Sequence, residues 1–160
     1  MKKLRKTMRI VVLLLFSFNF ACLNPRKMNF DKIDYRYQDS SVPPKYHRSY
    51  SIIATATSGT IKVDVYGKEI ASATFAVSAE QWAEFQKLAQ EIEKAGEKIA
   101  RGATGTSTQI LVLLDKNKLK YRLAWDSLSE AKATTEAFAA KVKALVPNLG
   151  ELRDTEYKED

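Results

Sequence analysis

Cysteine and histidine are almost missing from this chain: its 160 residues hold one of each. A lone Cys excludes a disulfide framework within the chain, and one Cys with one His excludes a zinc site built from those residues alone. The four prolines and six glycines exclude a collagen-like or low-complexity polymer. No run reaches the roughly twenty apolar residues that a membrane-crossing helix needs, which excludes a polytopic membrane protein. No Gly-x-Ser-x-Gly elbow accompanies the single imidazole, His47, so acyl-transfer chemistry has no visible triad. With 45% hydrophobic and 28% charged residues, the chain has the composition of a soluble globule of single-domain length.

The formal net charge of +7 is unevenly spread. Residues 1–21 carry +5, residues 22–48 carry +3, residues 49–148 carry +2 and residues 149–160 carry −3. The body is therefore near neutral, and nucleic acid is not an expected partner.

The sharpest signal lies at the amino terminus. Residues 1–9, MKKLRKTMR, are cationic; Ile10 to Phe16 are continuously apolar; Ser17, Phe18, Asn19, Phe20 and Ala21 lead into Cys22. The apolar part is too short to span about 30 Å of hydrocarbon, and its length and flanks are those of an export signal. A small residue directly before the only Cys resembles the lipobox of bacterial lipoproteins. Asn19 stands where that family prefers Leu, and Phe20 is bulkier than its usual neighbour. The resemblance covers residues 1–22. It implies cleavage between Ala21 and Cys22, a diacylglyceryl thioether on Cys22 and acylation of the new amine by long chains such as palmitate. Sulfur is the nucleophile that takes the lipid. One acyl chain binds reversibly, whereas two or three hold firmly. The competing readings are an uncleaved signal-anchor with a free thiol and a conventionally cleaved signal.

Beyond Cys22, charges and the Pro43-Pro44 pair break up residues 23–49, which read as a tether between lipid and domain. Periodicity then begins. Tyr50, Ile52 and Ala54 alternate with other residues, Ile61, Val63 and Val65 alternate with Lys62, Asp64 and Tyr66, and Ile70 to Val77 form a third candidate strand. Ser78 with Gln81 makes a capping box ahead of a helix whose apolar stripe is Trp82, Phe85, Leu88, Ala89 and Ile92, with Gly96 as its stop. The five aliphatics from Ile110 to Leu114 predict a strand covered on both faces or central in a sheet. Asp115 to Lys118 supply a turn, and Leu119, Tyr121, Leu123 and Trp125 a further strand. Ser127 with Glu130 reads as a second capping box, opening a helix that Pro147 ends.

The expected fold is α+β: a mostly antiparallel five-stranded sheet in the order β-β-β-α-β-β-α, with two helices packed on one face. The expected divisions are a signal peptide at 1–21, lipidated Cys22 and tether at 22–49, a globular domain at 50–149, and an acidic frayed tail at 150–160.

Candidate chemistry is sparse. His47 reads as a surface residue where tether meets strand. The loop Arg101, Gly102, Thr104, Gly105, Thr106 and Ser107 precedes a strand and lacks the Lys-Ser/Thr ending of a phosphate-binding loop, which makes it a candidate binding loop at a domain edge. The acidic pairs Glu91/Glu93 and Asp64/Glu69 read as solvated faces, so no metal and no cofactor are expected. The string PPKYHRSY, the Tyr66-Gly67 turn and the late helix near Pro147 resemble small bacterial envelope lipoproteins with no assigned activity. The expectation is a non-enzymatic, membrane-tethered binding or scaffolding module, exposed to the periplasm or the cell surface and contacting an envelope protein or ligand. An inhibitor or immunity protein acting on an exported enzyme or toxin is the alternative.

Overall fold

The structure, a computed structural model, describes residues 28–95, 106–126 and 131–158. The elements are β1 (Lys32–Gln38), β2 (Ser49–Ala54), β3 (Ser58–Val65), β4 (Lys68–Ala76), α1 (Ala79–Ala95), β5 (Thr108–Asp115), β6 (Lys118–Asp126), α2 (Ala133–Ala144) and α3 (Leu149–Arg153). The strands form one sheet in the order β4-β3-β2-β1-β5-β6, with every neighbouring pair antiparallel.

The α+β class is therefore as expected, but the sheet has six strands and the described helices number three. The added strand corrects the tether. Residues 32–38 pair with β2 on one side and β5 on the other, so β1 joins the β2-β3-β4 meander to the β5-β6 hairpin. Its alternation is strict: Ile33 and Tyr35 are fully buried, while Asp34 and Arg36 point to the opposite face. Burial begins still earlier, at Met28 and Phe30. Phe30 packs on Trp82 at 5.1 Å between ring centroids, and the Gln86 side-chain amide donates to the Phe30 carbonyl.

The sheet has one inner face. Tyr35 lies beside Ile52, Ile61 and Ala73 in one direction and beside Leu111 and Leu123 in the other. Phe85, Ala89 and Ile92 of α1 and Phe138, Ala139 and Val142 of α2 join that cluster. Trp125 Nε1 donates to Glu136 at 2.7 Å, tying β6 to α2. Gly59 is required by a close approach: a Cβ there would sit 2.3 Å from the ring of Phe75, its partner on β4. Of the two expectations for β5, a place inside the sheet holds, since it pairs with both β1 and β6, and cover on both faces does not. Leu111 and Leu113 are buried on the inner side, but Ile110, Val112 and Leu114 are only half-buried on the other.

The first capping box forms as expected, with Gln81 N–H donating to Ser78 Oγ at 3.2 Å and Ser78 N–H donating to Gln81 Oε1 at 2.8 Å. The Ser78 hydrogen bond also holds the Glu80 carboxyl below its ordinary range. Ser78→Ala orphans an amide at the helix start and should cost about 1 kcal/mol, seen as a Tm lowered by a few degrees. An unchanged Tm would show that the box contributes nothing.

The second helix differs from expectation. Ser127 and Glu130 lie outside the described residues, and α2 starts only at Ala133, where the Lys132 carbonyl accepts from Thr135 and Glu136. Gly96 also lies outside the described residues. The frayed tail is corrected as well. Leu149 and Leu152 pack against the core, and Arg48 reaches the Arg153 carbonyl through Nε at 2.8 Å and the Thr155 carbonyl at 3.1 Å. Those contacts hold the segment down although its acids face water.

Candidate functional site

The helices pack on the inner face, and the other face of the sheet carries the chemistry. Strand register sets it out in rows. One row runs Thr74, Thr60, Ile53, Asp34, Val112, Arg122; the next runs Ser72, Lys62, Ser51, Arg36, Ile110, Ala124. Ile53 is 40% exposed, an unusual fraction for an isoleucine in the middle of a sheet. Two ion pairs hold the charges in place. Arg36 meets Asp34 through Nε at 3.0 Å and a terminal nitrogen at 2.9 Å, and Lys62 meets Glu69 at 2.8 Å. Asp34 raises the Arg36 pKa above its ordinary value, and the Lys62 bond, aided by Ser72, lowers that of Glu69. These pairs are solvated and contribute little to stability; what they fix is the position of each charge on the face.

At the end of the sheet where β1 stops, this face runs into a polar groove of about 520 Å³ whose lining includes Arg36, Asp39, His47, Ser49, Asp64 and Tyr66. The β3–β4 turn makes one wall. Tyr66 and Gly67 both have positive φ, 49° and 88°, the two-residue hairpin geometry that favours Asn-Gly. A tyrosine there is strained. Its ring stacks on His47 at 4.0 Å between centroids, and its hydroxyl donates to the Val42 carbonyl, so strain is offset by contacts that hold the 39–48 loop against the turn.

His47 is 5% exposed, which corrects its expected place on the surface. Its Nδ1 accepts from the Tyr66 backbone N–H at 3.4 Å, and its Nε2 lies 3.3 Å from Ser49 Oγ. A backbone donor on Nδ1 places the hydrogen on Nε2, which therefore donates to Ser49. A general base acting on Ser49 would need Nε2 free to accept. Asp39 does not complete a triad either: its carboxylate accepts from the backbone N–H groups of Ser40 and Arg48, at 2.9 and 3.0 Å, and not from the imidazole. The cluster fastens a loop.

Beneath the groove, Tyr37 and Tyr50 stack at 5.2 Å, with the Arg153 guanidinium 5.6 Å from each ring. Tyr35 donates to Gln109 at 2.6 Å. Burial raises the Tyr35 and Tyr50 phenols above 10, the ordinary tyrosine value, with Tyr50 adding to the rise at Tyr35. The pH dependence follows. Up to about pH 10 the folded and unfolded states hold the same phenolic protons. Above it the unfolded chain ionises while the folded phenol stays protonated, so stability falls by up to about 1.4 kcal/mol per pH unit for Tyr35. Urea unfolding between pH 9 and 11.5 should show this decline, with a shallower slope in Tyr35→Phe. Equal slopes would refute it.

Of the residues singled out from sequence, Ala21, Cys22, Arg101, Gly102, Thr104 and Gly105 lie outside the described residues. Thr106 and Ser107 are half-buried and lead into β5 at the groove's end of the sheet, where Thr108 pairs with Gln38. Asp64 and Glu69 face each other across β3 and β4, but Asp64 accepts from Gly67 N–H while Glu69 takes Lys62. Among the described residues no three His, Cys, Asp or Glu converge as metal ligands, and no helix is long and apolar enough to cross a membrane. Arg36, Asp39 and Ser49 were hidden in sequence because they fall within the stretch read as tether. The residues that could have exposed them are Ile33, Tyr35 and Tyr37, a period-two run with one charged residue between each pair. No protein-family model, curated protein or solved structure matches the chain.

Proposed function

We propose that this chain is a bacterial envelope lipoprotein, anchored through lipid on Cys22, whose globular domain is a non-catalytic binding module. The observation that carries the binding reading is the outer face of the sheet. It sets an exposed Ile53 between the ion-paired Asp34–Arg36 and Lys62–Glu69, beside half-buried Ile110 and Val112, and it opens into the polar groove at Asp39 and Ser49. Apolar residues ringed by fixed charges of both signs suit a protein partner: burial supplies affinity and the charges set register. The hydrogen bonding of His47, with its base position occupied by backbone, supports a structural role for the imidazole. The anchor is supported by the cationic segment, the apolar run and the single Cys at its end.

The test is crosslinking in intact cells, followed by recovery of the tagged full-length protein. Wild type should yield a discrete adduct with an envelope protein, and Arg36→Glu with Ile53→Lys should lose it while keeping the circular dichroism of the wild type. An adduct that survives both substitutions would move the binding site elsewhere. No adduct in either sample would argue against a protein-binding module.

A further inference from the structure

We infer that the domain stands on anionic lipid headgroups, through the end of the sheet at which β1 begins. This rests on the lipid anchor proposed above. The corrected fold shortens the leash. Met28 is already packed in the core, so only six residue steps separate Cys22 from the packed domain, and these reach at most about 20 Å even fully extended. A domain so closely held must present one particular end to the bilayer, the end that carries Met28.

That end is basic. The Asp31 N–H donates to the Leu114 carbonyl, and Lys116 N–H donates to Asp31, which places the β5–β6 turn beside the start of β1. Lys116 and Asn117 turn the chain with positive φ, 50° and 62°. Lys32 Nζ bonds Asn117 at 2.8 Å, Lys116 and Lys118 are exposed, and Lys120 pairs with Asp115 at 3.1 Å. The acids here are Asp31 and Asp115, both engaged, with Glu80 on the first turn of α1. The opposite end carries Glu151, Asp154 and Glu156 interleaved with Arg153, Lys158 and the Arg48 that holds the segment down. Lysines are therefore gathered at the end where the anchor enters, whereas the far end mixes charges of both signs. Lysines near an anionic surface are attracted within a Debye length, and the attraction weakens with salt. Standing on this end leaves the outer face and groove open to a partner from the side.

The test uses the full-length lipidated protein in vesicles that contain a fluorescent-headgroup acceptor lipid. With Cys22 acylated, one introduced Cys takes a donor dye: Ala56→Cys in the β2–β3 turn at the basal end, or Lys45→Cys in the loop at the far end. In phosphatidylglycerol-rich vesicles energy transfer should be stronger from position 56 than from position 45. The difference should shrink in phosphatidylcholine vesicles or at high salt. With Lys116→Glu and Lys118→Glu, the ratio of seated to released domains should fall roughly tenfold or more. Equal transfer from both positions in vesicles that carry the protein, or a difference unmoved by the charge reversals, overturns this orientation and leaves the anchor standing. Protein that does not float with any vesicles overturns the anchor, and the orientation with it.

Discussion

A chain shortened to residues 39–160 is expected not to fold. The shortened chain lacks β1, the only strand joining the β2-β3-β4 meander to the β5-β6 hairpin, so the sheet separates into two pieces with unpaired inner edges. It also lacks Ile33 and Tyr35, both fully buried, and Phe30, which packs on Trp82. One of these side chains alone carries much of a typical domain's stability. Tyr35→Ala should cost about 3–5 kcal/mol for the cavity, and its lost hydroxyl leaves Gln109 Oε1 without that donor. Against a whole-domain stability of about 5–15 kcal/mol, removal of the full strand exceeds what the rest can supply. Circular dichroism and denaturant unfolding decide the matter. The shortened chain should show no cooperative transition, and Tyr35→Ala a strongly lowered midpoint. A cooperative transition in 39–160 would return the domain boundary to residue 50.

The second large effect concerns Cys22. Cys22→Ser removes the only thiol in the chain, and a hydroxyl does not replace it as the nucleophile that the proposed lipidation requires. Lipid-dependent cleavage then has no substrate. Metabolic labelling with a palmitate analogue should mark the wild-type protein and leave the variant blank, with the variant retained as precursor or shifted out of the membrane fraction. The loss is all-or-none because no second cysteine can compensate. Undiminished label in Cys22→Ser would refute the assignment.

Most local structure was legible in the sequence, because local rules governed it. The Ser78–Gln81 box forms as read, the Trp82-to-Ile92 stripe faces the core, and Ile61, Val63 and Val65 alternate inward. Two segments, residues 32–38 and the acidic tail, differ from expectation because their charges mask buried positions. In KIDYRYQ the charges suggest a solvated linker, yet a strand with one wet face must carry polar residues at every second position, and Asp34 and Arg36 are those residues. The aliphatic run in β5 leaves two readings open, cover on both faces or a place inside the sheet; the second fits, since β5 pairs with both β1 and β6, while Ile110 and Val112 belong to the half-buried outer face. The acidic tail was read by charge, although Leu149, Leu152 and the backbone carbonyls that Arg48 takes settle its position. The groove could not be assembled from sequence at all. Asp39, His47, Ser49 and Tyr66 meet only because the 39–48 loop folds back on a hairpin whose tyrosine sits in a left-handed conformation, and nothing in one-dimensional spacing announces that contact.

The central claim is that a compact domain is bound to a bilayer through one sulfur atom. Intact-mass spectrometry of the protein extracted from the membranes of the cells that make it tests this most directly. The account predicts a chain that begins at Cys22 and carries the mass of a diacylglyceryl group with a further acyl chain. A polypeptide that retains residues 1–21, with an unmodified thiol, would contradict it.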